Sequence, residues 1–168
     1  GVSSPGSSFH MGVNYLLSRA GVKPEDVSII GVGSSSGAIA AARIGQVDAL
    51  MTNDPVATVL EDSGDMFPLV EMRTEAGSRS TLGGSYPEAT IYATKDFVTK
   101  NPKTVQAIAN AIVDAEKWMA QASPKQVAAA VPAEYALADK DVFAKAYSAM
   151  RGCISQDGLM TDEATKTV

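Results

Sequence analysis

Three short polar stretches hold most of the groups that could bind or react. They are Ser3-Ser4-Pro5-Gly6-Ser7-Ser8 with His10 close behind, Gly33-Ser34-Ser35-Ser36-Gly37, and Asn53-Asp54-Pro55. Glycine permits close approach of the backbone and serine hydroxyls are short donors. Together they suit an anionic or multiply polar group such as sulfonate, nitrate, carboxylate or phosphate. Asp54 brings a carboxylate that would repel an anion, so a solute touching all three stretches should also carry an N–H, ammonium or hydroxyl donor. Each of these residues has a structural alternative. Asp54 before Pro55, and Ser7 or Ser8 before an apolar helical run, are equally suited to cap a helix, and cap and contact can coexist. His10 falls in the first turn of that run, where the helix dipole favours a neutral imidazole; it either packs at the cap or meets a ligand.

Gly33-Ser34-Ser35-Ser36-Gly37 also matches the G-x-S-x-G pattern of a hydrolase nucleophile elbow, with Ser35 as nucleophile. That chemistry needs a histidine after the nucleophile to act as general base. His10, the one histidine, precedes Ser35, so a polar backbone cradle that includes Ser34 accounts better for the segment. Tyr86, beside Gly83-Gly84-Ser85, could close over a ligand or lie on the surface. Trp118 follows helical spacing and is expected in the core.

These groups need elements to hold them. Phe9, Val13, Leu16, Leu17 and Ala20 share a helical face that Gly21 ends. A buried strand over Val27, Ile29, Ile30 and Val32 leads into an alanine-rich helix closed by Gly45. Residues 47–51 form a short strand, and Asp54-Pro55 opens another helix with Pro55 at its first position. Residues 66–72 read as a fourth strand. This alternation predicts an α/β layer with parallel strands, which places all three polar stretches on the edge where ligands bind. Residues 73–86 lack periodicity and read as an irregular loop or hinge. One strand at 89–94 is then followed by helices starting at Asn101-Pro102, Ser123-Pro124 and Asp141, and by a helix over 162–168. A single strand is too little sheet for so many helices. The chain is therefore read as a fragment whose start is the end of a strand, with its missing partners upstream of Gly1.

Composition narrows the classes further. The 168 residues are 45% hydrophobic, enough to bury a core. A net charge of −5 leaves no basic surface for a phosphate backbone, so nucleic acid is not an expected partner. No apolar run approaches the roughly 20 residues of a membrane span. With one cysteine, Cys153, and one histidine, no internal disulfide and no Cys/His zinc site are expected. No cofactor is called for.

The series Ser3-Ser4-Pro5-Gly6-Ser7-Ser8-Phe9-His10, Gly45-Gln46-Val47-Asp48-Ala49-Leu50, Asn53-Asp54-Pro55 and Gly83-Gly84-Ser85-Tyr86-Pro87 resembles the nitrate, sulfonate, taurine and thiamine-precursor type of ABC-transporter substrate-binding proteins. The resemblance implies an α/β, periplasmic-binding-protein-like fold of type II. Residues 1–86 would be the second lobe, and 87–168 the mostly helical returning part of the first. It also implies capture of a small polar or anionic solute without turnover, delivery to an ABC permease, and a periplasmic or cell-surface location. The resemblance implies ligand contacts from Ser4, Ser7, Ser8, His10, Asp54 and Tyr86, and the residue types of the polar stretches add Gly6 and Ser34 to the ligand-binding set. Many sulfonate-type members have an aromatic residue before the D-P pair; Asn53 stands there in this chain. Alternatives on the same fold are an enzyme of pyrimidine or thiamine-precursor synthesis and a metabolite-sensing effector domain. An uncovered sheet edge would also allow the fragment to pair with a second copy.

Overall fold

The computed structural model describes residues 1–137 and 139–167. Among them run nine α-helices: α1 (Ser8–Arg19), α2 (Ser36–Arg43), α3 (Val56–Asp62), α4 (Glu75–Leu82), α5 (Lys95–Lys100), α6 (Pro102–Gln121), α7 (Pro124–Ala130), α8 (Lys140–Met150) and α9 (Ala164–Thr167). The chain divides into two compact units. Gly1–Pro68 with Val131–Tyr147 form the first, and Leu69–Ala130 with Ser148–Val168 the second.

The first unit is organised by backbone pairing of its opening residues. Val2 N–H donates to Ile30 O at 3.0 Å, Val32 N–H to Val2 O at 2.9 Å and Gly33 N–H to Ser3 O at 3.1 Å, around a parallel bridge between Val2 and Gly31. On the other side the Gly1 nitrogen donates to Ala49 O at 2.6 Å and Met51 N–H to Gly1 O at 3.0 Å, which is again the parallel pattern. Residues 1–3 therefore lie between 30–33 and 49–51, giving the spatial order second, first, third. The central position explains why Val2 is fully buried. Pairing is too short for continuous strands: at 27–32 and 47–51 the expected strands are reduced to this narrow ladder.

Ala38, Val56 and Leu60 form the buried centre of this unit, with Val32, Ile39, Ala42, Leu50, Met66 and Leu137 packed around them. Alanines on α2 let it approach α3 closely, so the alanine-rich sequence serves packing as well as helix propensity. Gly21 and Gly45 follow α1 and α2 with φ of +72° and +68°, the left-handed stops read from the sequence. Arg43 pairs with Asp65 at 2.8 Å, and Lys145 of α8 pairs with Asp62 at the end of α3. Solvent screens exposed pairs of this kind, so apolar burial dominates.

In the second unit the stretch 73–86, expected to be an irregular loop or hinge, contains the helix α4 over Glu75–Leu82. Thr74 accepts a hydrogen bond from Gly77 N–H at 3.0 Å, Glu75 and Arg79 pair one turn apart at 2.9 Å, and Gly83 ends α4 at φ +86°. Apolar periodicity is absent because caps and charge pairs, rather than an apolar stripe, define this helix. Arg79 also pairs with Glu163 next to α9. Arg73 grips Glu71 with its guanidinium, whose hydrogen bonds hold the Glu71 carboxyl below its usual range.

The expected strands at 66–72 and 89–94 are not formed. A strand needs a neighbour for its N–H and C=O groups, and the side chains of Phe67, Leu69, Ile91 and Tyr92 are exposed. Trp118, expected in the core, is 46% exposed, and α6 buries none of its residues completely. The cap of α8 is Asp139, which accepts from Asp141 N–H and Val142 N–H at 3.0 Å, in place of the expected Asp141. The expected helix over 162–168 is shortened to α9, and Val168 lies outside the described residues. No described helix is long and apolar enough to cross a membrane.

Two stability measurements check this account. Leu60→Ala should lower unfolding free energy by about 2–5 kcal/mol in urea titrations, while Leu69→Ala, at a side chain 78% exposed, should change it by less than about 0.5 kcal/mol. Because the folded-state carboxyl of Glu71 is depressed, its contribution is present above the ordinary carboxylate range and is lost as pH falls through the lowered value. Stability measured against pH should therefore fall less steeply on the acid side in Glu71→Gln than in the unaltered chain.

Candidate functional site

All three polar stretches leave the ladder at the carboxyl ends of its parallel segments. Residues 1–3 run into the first, residues 30–33 into the second and residues 49–51 into the third, and each then enters a helix: α1, α2 and α3. Ser4, Gly6, Ser7, Ser8, His10, Ser34 and Asp54 are thereby brought to one edge of the first unit. Tyr86 belongs to the second unit and is 39% exposed.

The first loop is closed on itself by polar contacts. Ser7 caps α1: its Oγ accepts from His10 N–H at 3.3 Å and from the Ser3 hydroxyl at 3.1 Å, while Ser7 N–H donates to Ser4 O at 3.2 Å. Of the two serines that could cap, Ser7 does so, and Ser8 is an exposed first residue of the helix. Gly6, at φ +83°, takes up a conformation that strains any residue with a β-carbon, and its N–H donates to His10 Nδ1 at 2.8 Å. Gly31 makes room for this loop: a β-carbon there would stand 2.9 Å from Pro5 Cδ. Gly31 shapes the loop without having been singled out from the sequence. The one available signal was a glycine interrupting the apolar run Ile29-Ile30-Gly31-Val32.

The second loop is more open. Ser35 stands at the N-cap of α2 with no side-chain capping bond, and Ser34, Ser35 and Ser36 are all exposed. Gly37 follows so near the preceding segment that a β-carbon would lie 2.9 Å from Val32 O. This loop offers hydroxyls and the free N–H groups of a helix start, which favour negative charge.

In the third loop Asp54 Oδ1 accepts from Thr58 N–H at 3.0 Å and from the Thr58 hydroxyl at 2.7 Å, across a cis Asp54–Pro55 peptide. The helix itself begins at Val56, so Pro55 occupies the N-cap position rather than the first helical one. Asp54 thus performs the capping role read from its type. Thr58 is 3% exposed, so its hydroxyl depends on this carboxylate for a partner. No group of His, Cys, Asp and Glu among the described residues could hold a metal ion.

The Asp54 cap is directly measurable. Asp54→Ala should cost about 0.5–2 kcal/mol of stability by removing both bonds to Thr58, and Asp54→Asn should recover most of it because the amide oxygen can still accept. Chemical denaturation of the two variants beside the unaltered chain reads the difference.

Comparison with known proteins places this edge in context. Residues 1–133 match the NMT1-like family. A solved structure of a protein from Bordetella bronchiseptica RB50 has a TM-score of 0.94 and 42% sequence identity, covering 99% of this chain and 52% of that one. Two curated relatives are each described as "Nitrate/nitrite binding protein NrtA". The one from Nostoc sp. strain PCC 7120 is 22% identical over 126 residues, covering 75% of this chain and 27% of the relative. The one from Synechocystis sp. strain PCC 6803 is 24% identical over 127 residues, with shares of 73% and 26%. The chain thus spans about a quarter of these curated relatives. Its helix-rich structure, the family and the solved neighbour fit a periplasmic-binding-protein-like fold. Since the match runs from the first residue past all three loops, the chain belongs to the NMT1-like family.

Proposed function

We propose that the chain is part of the substrate-binding component of an ABC importer and captures a small polar or anionic solute of the nitrate, sulfonate, taurine or thiamine-precursor class. The observation that carries this reading is the convergence of three loop-to-helix junctions on one edge of a parallel ladder, with Ser7 and Gly6 fixed in place and the Ser34 loop left exposed. Backbone N–H groups and hydroxyls there are suited to a solute rich in acceptor oxygens. Relatives described as nitrate/nitrite binding proteins support the solute class.

In this reading the fold is of type II. Residues 1–86 belong to the second lobe of a complete binding protein and 87–168 to the returning part of the first. The solute lies in the cleft between those lobes, with its opposite wall supplied by residues outside this sequence. Ser4, Gly6, Ser7 and Ser8 line the near wall with His10 behind them. Ser34 and Asp54 complete it, and Tyr86 closes from the chain crossover. The solute is released unchanged to a membrane permease at the periplasmic or cell-surface side. Exposed apolar side chains at Ile91, Tyr92, Phe97 and Ile108 are consistent with a further layer covering them in the complete protein.

A thermal-shift screen tests the proposal on a full-length binding protein containing this chain, with nitrate, nitrite, taurine, small sulfonates and pyrimidines. A ligand at 100 times its Kd should add about 2.7 kcal/mol to stability. One class should raise the midpoint and be recovered unchanged. A flat response to all of them overturns the transport reading, and a chemically altered compound replaces it with an enzyme.

A further inference from the structure

We propose that His10 is a positioning residue: its imidazole is held neutral with the proton on Nε2, and Nδ1 fixes the first loop by accepting the Gly6 amide. The inference deepens the reading above, on which its relevance to solute capture rests, but its physical basis is independent of any solute.

A backbone amide can only donate. Gly6 N–H lies 2.8 Å from His10 Nδ1, so Nδ1 must present a lone pair. The ring's proton then belongs on Nε2, since a ring protonated at Nδ1, whether neutral or charged, would set one N–H against another.

The bond matters because of what it closes. Gly6 sits at φ +83°, and a β-carbon there would meet nothing within 4 Å, so crowding does not impose the conformation of the loop at this point. What holds it is a ring of polar links. Ser3 donates to Ser7 Oγ, His10 N–H donates to the same oxygen, and the His10 side chain returns to Gly6. One residue therefore secures the loop twice, through its backbone to Ser7 and through its ring to Gly6. Once Nδ1 is engaged, the remaining polar function of the ring is the Nε2–H donor. The state that holds the loop also leaves the ring matched to an acceptor and unable to accept from a solute.

His10 is the one histidine of the sequence, so its ring resonances in a 15N-labelled sample of the chain are unambiguous. Long-range 1H–15N spectra should show an unprotonated Nδ1 and a protonated Nε2; a proton on Nδ1, or a charged ring under the conditions where the chain is folded, overturns the proposal. Hydrogen exchange at the Gly6 amide supplies a second reading. His10→Asn places an acceptor oxygen near the Nδ1 position, whereas His10→Gln places its amide near Nε2. Gly6 protection should persist in Asn and fall about tenfold or more in Gln. Equal protection in both, or protection kept only by Gln, also overturns it. Nitrate titration of the full-length form is scored separately. If the ring and amide results hold while nitrate fails to bind, the loop device stands and nitrate alone is withdrawn from the solutes proposed above.

Discussion

Parallel pairing of residues 1–3 with both 30–33 and 49–51 is the constraint on which the first unit depends. Each pairing contributes only a few backbone bonds, but the middle segment is shared, so losing it would separate both neighbours at once. Parallel segments need crossovers, and α1 and α2 supply them. The same arrangement makes the carboxyl ends of all three segments point one way. Three polar loops far apart in sequence become neighbours for that reason, and not because any of them has affinity for another.

Helix starts have unpaired amides, and the loops of this edge use side chains to meet that need. Ser7 and Asp54 each accept from a backbone N–H of the helix that follows, as N-capping chemistry requires. Ser35 does not. The edge is therefore uneven: at the first and third junctions a side chain accepts from a helix N–H, and at the second the serines stay exposed with no capping bond. A preorganised frame with one open donor-rich loop suits binding, because polar groups already held in place lose little further freedom when a solute arrives. Capping and binding are in this sense compatible uses of the same loop.

The second unit follows different rules. Its α4 is held by a threonine cap, a charge pair and a glycine stop rather than by an apolar face, and α6, although amphipathic, leaves Ile108 and Trp118 substantially exposed. Apolar side chains stabilise only when something removes them from water. Helical spacing in α6 thus records a face suited to burial, and the described chain does not bury it fully.

The sequence by itself determined the helices with strong apolar spacing or marked ends: α1 between its serines and Gly21, α2 up to Gly45, and α6 after Pro102. It also determined the chemistry available at the three loops and the capping competence of Asp54 and Ser7, because these are properties of residue type over a few positions. Where caps and ions replaced apolar spacing, as in α4, the sequence pattern was silent, and β-rich runs at 66–72 and 89–94 suggested strands that lack pairing partners. Only the tertiary structure decided which of Ser7 and Ser8 caps the helix, that His10 turns its Nδ1 to Gly6, that Gly31 makes room for Pro5, and that segment 1–3 occupies the centre of the ladder. Those outcomes depend on distances between residues remote in sequence, and local propensity carries no information about them.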